Sequence, residues 1–505
     1  MDNDDGATEQ RDQHSALRDH AAADTSAGTP NRPSHSQHPS RQSSVDESNH
    51  PDRPHATPRR QGSAHRRYKR TACFVHSLLD SRARMDRPMA SHGTSEPSSR
   101  PDSPPGTHTP IDQKRALTKK EVSDMALGVR ELSKHLGAAR LKLKIHSILV
   151  LAKPGDHSLV KLMADLCGWL LLQQKERKSS NGNHSSGSEK TLGYTVYIEK
   201  RFEEEEAVKE LAAQAHHPGK IKFWTSELCT KSPHLFDLVL TLGGDGTVLH
   251  ASCLFQRIVP PVLSFALGSL GFLTNFDFKD YPKQVSSVLQ EGVTAALRMR
   301  IECAVFRAAR DANGQLINKE DTLHADLVAM DKHGDAVSTS HKFDLSFNVL
   351  NDMVVDRGPN AQLSSLELFG DDEHLTSISA DGVVVSTPTG STAYSLSAGG
   401  SLCHPEIPTI LISPICPHTL SFRPLLVPDS MVLQVAVAYD SRSTAWASFD
   451  GRNRVELKQG DYVRVSASRF PFPTCLRGKQ TGDWFESIAT KLSWNARKRQ
   501  KPLDC

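Results

Sequence analysis

The apolar run Phe236-Asp-Leu-Val-Leu-Thr-Leu242 passes without a break into Gly243-Gly-Asp-Gly-Thr247, and Val248–Phe255 continues in a helical pattern. A buried strand that turns through glycines into a helix is the repeating unit of a parallel sheet with helices on both faces. The neighbouring segments repeat the alternation. Ser147–Lys153 reads as a strand, Pro154-Gly155-Asp156 breaks it, and Leu159–Leu172 resumes helical spacing. Tyr194–Glu199 reads as the second strand. Glu203–Gln214 reads as the helix after it, with acidic residues in the first turn, where the helix dipole favours them. Phe236–Leu242 is then the third strand and Val262–Ala266 the fourth, and a leading helix is expected over Lys119–Leu136. Ligands of such sheets bind beyond the carboxyl ends of the strands, and the glycine loop lies at one of these ends.

After about Leu297 the period changes from helical to alternating. Glu302–Arg310, Leu323–Met330, Phe343–Val355, Gly382–Ser386, Met431–Ala438, Thr444–Phe449 and Tyr462–Ala467 read as strands, and Met431, Leu433, Val435 and Val437 share one face. Asp483–Leu492 is helical again and is expected to return to the first domain. Residues 1–115 are rich in Ser, His, Pro, Arg, Asp and Gly and short of Leu, Ile and Val, the composition of a disordered arm. Within it Thr71–Leu79 is a short apolar patch, and Arg59–Arg70 is a basic stretch that reads as solvated charge. The expected division is therefore a disordered arm over 1–115, an α/β nucleotide-binding domain over 116–296 completed by 474–497, and an all-β domain over 297–473.

Charge and targeting exclude several classes. With 61 basic and 58 acidic side chains the net charge is +3, so composition implies no nucleic-acid and no membrane partner. No apolar run reaches the roughly 20 residues needed to cross a bilayer. The opening Met1-Asp-Asn-Asp-Asp5 is neither a secretory nor a mitochondrial leader, and the nine cysteines form no CxxC pair, as suits a reduced cytoplasmic protein without a structural metal.

Four motifs carry chemistry. Glycines at 243, 244 and 246 let backbone N–H groups approach a ligand, and the following helix N-terminus favours anions. Asp245 is the oddity there, because a carboxylate repels phosphate; it makes sense as a metal ligand, as a base for an attacking hydroxyl, or as a cap on a tight turn. The loop is neither GxGxxG nor GxxxxGK[ST]. Ser386-Thr-Pro-Thr-Gly-Ser-Thr-Ala-Tyr394, followed by Ser397-Ala-Gly-Gly400, offers hydroxyls for a polar ligand and one large planar ring, Tyr394. Asn351 and Asp352 interrupt an apolar strand, so Asp352 needs a partner. Neighbours on a strand point to opposite faces, and the strand must end or bulge there for both to meet one ligand. Asp450-Gly451 reads as a two-residue hairpin turn.

In this order the motifs resemble the NAD kinase family, most closely its fungal members, over about Leu117–Asn495. The glycine loop also occurs in diacylglycerol and sphingosine kinases. The threonine-rich loop, Pro414-Ile-Cys-Pro-His-Thr-Leu-Ser-Phe-Arg-Pro424 and Ile488-Ala-Thr-Lys-Leu-Ser-Trp494 are more specific. The resemblance implies a Rossmann-like α/β domain followed by a β-sandwich that binds NAD. It implies transfer of the ATP γ-phosphoryl group, with Mg²⁺ on the triphosphate, to the 2′-hydroxyl of the adenosine ribose of NAD, giving NADP. It makes Asp245 the proton acceptor, with Gly243, Gly244, Gly246 and Thr247 around it, and puts Asn351 and Asp352 on the dinucleotide. Asp381 is the carboxylate before the threonine-rich loop, and Thr392, Ala393, Tyr394, Ser395, Leu396 and Ser397 hold the adenosine and nicotinamide portions. It also implies a homo-oligomer. Ser379 and Arg452 depart from bacterial members, which often carry a basic residue and Gln there. NADH as acceptor, polyphosphate as donor, and the roles of His418, Arg423 and Arg452 stay open. The rivals are a lipid kinase using the same glycine loop and a non-catalytic NAD-sensing module.

Overall fold

The computed structural model describes residues 119–496 apart from 139, 154–155, 157, 176–191, 215–218, 269, 318–339 and 372. The expected disordered arm, the Thr71–Leu79 patch and the expected strand at Leu323–Met330 lie outside the described residues.

Short apolar runs such as Ser147–Ala152, Leu238–Gly243 and Val262–Ala266 build the centre of the first sheet. Helix α1 spans Lys119–Ala138, β1 Ser147–Ala152, α2 Leu159–Leu172, β2 Thr195–Glu199, α3 Glu206–Ala213, β3 Lys220–Trp224, α4 Ser226–Lys231, β4 Leu238–Gly243, α5 Asp245–Leu254, β5 Val262–Ala266, α6 Tyr281–Gln290 and β6 Ala295–Arg298. The last two elements of the chain, β18 (Phe472–Cys475) and α8 (Gln480–Leu492), return to it. The strand order is β3-β2-β1-β4-β5-β18-β6, parallel except for the β18–β6 pair. Helix α2 turns Leu159, Met163, Leu166 and Leu170 toward the sheet at spacings of three and four, which gives it a buried stripe. Connections run outward from β1 on one side and from β4 on the other. The order therefore reverses between β1 and β4, the place where such sheets open a crevice. The two strand ends are tied there by Lys153 N–H donating to Leu242 O at 3.0 Å.

Two expectations need correction here. Lys220–Trp224 is a strand, so Phe236–Leu242 supplies the fourth strand in chain order and not the third. It sits at the sheet edge and alternates exposed lysines with partly covered apolar residues, so it lacks the run of a buried strand. The helix expected from Glu203 begins at Glu206, after a 3₁₀ turn at Lys200–Phe202.

The second unit is a hydrogen-bonded sheet of eleven strands. These are β7 Ile301–Ala308, β8 His341–Val349, β9 Asp352–Asp356, β10 Ser364–Gly370, β11 Glu373–Ser386, β12 Thr409–Pro417, β13 Leu425–Pro428, β14 Leu433–Val437, β15 Ala445–Phe449, β16 Arg452–Leu457 and β17 Tyr462–Ala467, with a one-turn helix α7 at Tyr394–Ser397. The order is β8-β7-β17-β14-β10-β11-β9-β15-β16, with β12 and β13 branching from β11. Val349 and Val463 from one end share a single core with Met353, Ala447 and Leu457 from the other, so the sheet folds over on itself as a sandwich. Met431 packs against that core and Leu433, Val435 and Val437 lie within it. Phe343–Val355, expected as one strand, is two, because the chain bends at Leu350 and Asn351. Strands β10, β12, β13 and β16 were not expected; prolines interrupt β12, and β16 is a polar edge.

Sheet membership carries the first unit to Arg298 and brings the chain back at Phe472, two residues beyond and before the expected limits. At these crossings Arg300, fully buried, donates to Phe470 O at 2.6 Å, Phe255 O at 3.0 Å and Gln256 O at 2.9 Å, pinning both passages of the chain. No helix among the described residues is long and apolar enough to cross a membrane.

Candidate active site

Strand β4 runs to Gly243 and helix α5 begins at Asp245 itself, so the loop between them is Gly244 alone. Gly243 has φ +154°, and a Cβ there would lie 2.3 Å from Thr247 Oγ1. At Gly244 and Gly246 a Cβ would meet nothing within 4 Å, so the helix N-terminus faces open space on that side. Asp245, half-buried in the first turn, points to a second loop that follows β5. Its Oδ2 accepts from Phe272 N–H at 2.9 Å. Its Oδ1 accepts from Leu273 N–H at 3.0 Å, Thr274 N–H at 3.2 Å and the Thr274 hydroxyl at 3.1 Å. The carboxylate is therefore held by a backbone clamp and does not stand alone among phosphate donors.

The Asn351–Asp352 pair lies where β8 ends and β9 begins, which satisfies the requirement that the strand end there. The bend is fixed by Asp450. Its carboxylate accepts from the N–H groups of Leu350 at 2.9 Å, Asn351 at 2.7 Å and Asp352 at 3.3 Å, while its own N–H donates to Asp352 O at 2.9 Å. Asp450 and Gly451 both have positive φ, at 49° and 67°, the geometry of a two-residue hairpin turn that suits strand twist. The turn reading of this motif thus stands, and the carboxylate's grip on the pair is an addition. Asn351 Oδ1 is buried and, among the described residues, has no hydrogen-bond partner, so it is an acceptor available to a donor group.

Asp352 is buried beside Asp450. Burial first, and Asp450's charge second, raise its carboxyl from 3.8 to about 7. Burial also raises Asp450, opposed by its three backbone donors. A carboxyl with a raised folded-state pKa stabilises the fold fully below its unfolded value of 3.8, and that contribution is lost as pH rises through 7. Asp352→Asn should therefore melt several degrees above wild type at pH 8, with the gap closing near pH 4. Three pKa units cap the gain at about 4 kcal/mol. A gap that does not change with pH in thermal denaturation would disprove this coupling.

The threonine-rich loop is bolted to the same bend. Thr387 donates through N–H to Asn351 O at 2.9 Å and through its hydroxyl to Leu350 O at 2.6 Å, and the Ser386 hydroxyl reaches Asn351 O at 3.2 Å. A Cβ on Gly390 would lie 2.2 Å from Asn351 O. The Ser391 hydroxyl donates to Cys403 O at 3.1 Å, and Ser395 and Ser413 hydroxyls pair at 3.0 Å. Being buried, these hydroxyls are satisfied by Leu350 O, Asn351 O, Cys403 O and the Ser413 hydroxyl, and so they tie the loop to its neighbours. Ser395 is fully buried. Thr392, Ala393 and Leu396 are partly exposed, and Ser397 is exposed. The Tyr394 ring is half-exposed; burial raises its phenol pKa, followed by the charges of Asp356, Cys416, Asp352 and Asp381. Tyr394 thus lies where three carboxylates converge. Asp381 is paired with Arg357, Nε to Oδ1 3.0 Å.

Positive charge acts on His250 in the middle of α5. Burial, then Arg452 and then Arg201, depress His250 to about 4, and its Nδ1 is buried without a partner among the described residues. Arg201 follows β2 and Arg452 opens β16, so guanidinium groups from both sheets converge on the same helix. His418 is exposed, and its backbone N–H donates to Ser379 O at 2.9 Å. Among the described residues no group of three or more His, Cys, Asp or Glu side chains is arranged to hold a metal ion. A cavity of about 600 Å³ lies between α1, Pro405–Pro408 and the start of α8, and none of the residues above lines it.

Sequence reasoning missed Asp450 and the Phe272–Thr274 clamp. The first was visible only as an Asp-Gly turn. The second acts mainly through backbone N–H groups and had no signal beyond Gly271.

The chain matches the family model of the ATP-NAD kinase N-terminal domain over residues 148–293 and that of the ATP-NAD kinase C-terminal domain over residues 350–476. It is 42% identical over 383 residues to the ATP-NADH kinase of Saccharomyces cerevisiae, covering 75% of this chain and 70% of that protein. It is 38% identical over 391 residues to the NAD(+) kinase of the same yeast, covering 77% and 67%. An uncharacterised kinase of Schizosaccharomyces pombe is 44% identical over 386 residues, covering 76% and 88%. Among solved structures, yeast NADH kinase complexed with NADH superposes with a TM-score of 0.53 at 29% identity, covering 71% of this chain and 90% of that one.

Proposed function

Because the chain belongs to the ATP-NAD kinase family, we propose that it transfers the γ-phosphoryl group of ATP to the 2′-hydroxyl of the adenosine ribose of NAD, giving NADP, beside Asp245. The observation that carries the site is the joining of two motifs 35 residues apart: the bend bearing Asn351 and Asp352 is bolted to the loop bearing Tyr394. In this reading Asn351 Oδ1 and Asp352 hold ribose hydroxyls, and the exposed Tyr394 ring covers a base. Asp381, Thr392, Ala393, Leu396 and Ser397 border the dinucleotide, and buried Ser395 keeps the loop in shape. The open side of Gly244 and Gly246 admits the triphosphate to the N-terminus of α5, with Thr247 buttressing the turn and Arg201 and Arg452 supplying positive charge.

In this reading Mg²⁺ enters on the triphosphate, at the open side of Gly244 and Gly246. Bound there, it would neutralise phosphate charge and keep several waters. Exposed Leu420, Leu425 and Leu426 around β13 support a homo-oligomer, and a cytoplasmic location remains the reading for the compartment. The two Saccharomyces cerevisiae relatives are named for NADH and for NAD(+), so either is a candidate acceptor.

A coupled assay for NADP formation from NAD and Mg-ATP tests the reading, with NADH and polyphosphate in parallel. Binding of NAD without turnover would make the chain a sensing module. Asn351→Ala should raise the KM for NAD by about 3–10-fold, the value of one hydrogen bond, with little change in the KM for ATP. The reverse pattern would move Asn351 to the donor side.

A further inference from the structure

We propose that Arg298 is a positioning residue for phosphoryl transfer, its guanidinium fixing the clamp on Asp245 against the loop that bears Tyr394. The inference rests on the kinase reading of Asp245 given above. Arg298 is the last residue of β6. Its backbone is set by pairing with Phe472 of β18, and Leu297 N–H beside it donates to Ser133 Oγ of α1 at 3.3 Å. The side chain, only 4% exposed, runs inward between the two halves of the site.

There it touches one residue of each loop. Nη2 donates to Phe272 O at 3.4 Å, and the N–H of Phe272 is one of the donors on Asp245. Nη1 donates to Thr389 Oγ1 at 3.4 Å, at the start of the turn that leads to Tyr394. Asp245 and Asp483 of α8 both act electrostatically on the guanidinium, and on α8 the Ser487 hydroxyl holds Gly271 O at 2.9 Å. Burial lowers the guanidinium pKa to about 10 against the pull of these two carboxylates, so it remains a cation at neutral pH.

The arrangement is costly for packing alone. A buried cation with Nε unpartnered among the described residues is worse satisfied than a methionine of similar length would be. What the guanidinium adds is a rigid plane with donors at both ends, which lysine cannot supply. Both contacts are long, so the plane spans a gap between the clamp and the loop. Hydrogen bonds of this kind tighten when substrate closes the site. Acceptor binding on the loop would thereby reach Asp245 through one side chain.

The test is a double-mutant cycle on the full-length enzyme, using Asp245→Asn, Arg298→Met and the pair, with Arg298→Lys beside them. We measure kcat, both KM values and the stoichiometry of NAD binding. Arg298→Met should lower kcat by about 10²-fold, the scale of a misplaced catalytic group, with both KM values within about 3-fold. In the Asp245→Asn background the same change should cost less than about 3-fold, because the group it positions is already gone. Arg298→Lys should recover part of kcat. Additive losses in the pair would overturn the proposal, as would wild-type kcat in Arg298→Met. A fall in NAD-binding stoichiometry that accounts for all the lost activity would make the role merely structural. If Arg298→Met does not fold, Arg298→Lys carries the cycle. Absence of NADP formation by the wild-type enzyme would instead sink the kinase reading.

Discussion

Asp245→Asn should lower kcat by about 10²–10⁴-fold, the span expected when a group that handles the reacting proton is lost. The substitution keeps the shape of the side chain. An amide oxygen in the place of Oδ1 still accepts from Leu273, Thr274 and the Thr274 hydroxyl, so the clamp persists on that side. In the place of Oδ2 an NH₂ group faces the Phe272 N–H, donor against donor. The carboxylate's charge is lost with it. Carboxylates as a class are weak bases for a ribose hydroxyl. The mismatch is tolerable because phosphoryl transfer passes through a loose transition state in which the nucleophile gives up its proton late. Asp245 then contributes by orienting the hydroxyl as much as by receiving the proton. The clamp serves that role, since four donors leave the carboxylate little freedom to turn. Steady-state kinetics at saturating NAD and Mg-ATP, with NAD binding measured separately, check the expectation. Wild-type turnover in the variant would remove Asp245 from the chemistry.

How much of this was legible follows from how each residue acts. Leu159–Leu172 and Tyr462–Ala467 were bounded to the residue, because a fully apolar helix stripe and a buried strand both write their period into side chains. Lys220–Trp224 was not, because an edge strand is stabilised by backbone pairing and can carry lysines. The candidate site divides the same way. Asp245 was conspicuous among three glycines. The groups that hold it were not, because every residue but proline carries an N–H, and only folding decides which ones converge. Asp450 was read as a turn, and it is one. That its carboxylate caps the bend 100 residues earlier in the chain is a tertiary fact. The threonine-rich loop was read as facing a ligand, yet its hydroxyls mostly satisfy buried carbonyls. Arg298, in Leu-Arg-Met-Arg, matched no pattern at all.

Gly271→Ala should damage the same centre from the other side, lowering kcat by about 10²-fold. Gly271 is not in the left-handed region, so alanine's backbone preference is not at issue and only space decides. A Cβ there would lie 2.1 Å from Asp245 Oδ1 and 2.4 Å from Thr274 Oγ1. Neither atom is the loose end of a long side chain. Thr274 is fixed because its carbonyl and its hydroxyl oxygen both accept from Gly271 N–H, each at 3.0 Å. Gly271 O is held by Ser487. The carboxylate must therefore move by an ångström or more, or the clamp must open. A displacement of that size at a reacting group costs about 10² in rate, whereas overpacking at one site costs about 1–3 kcal/mol in stability. The expected signature is a large loss of kcat in an enzyme that still folds. Gly128→Ala on α1, where a Cβ meets nothing within 4 Å, should leave kcat unchanged and controls for the added methyl group. If Gly271→Ala turned over like wild type, the clamp would not be the conformation in which Asp245 works, and the carboxylate would have to leave it before the hydroxyl is attacked.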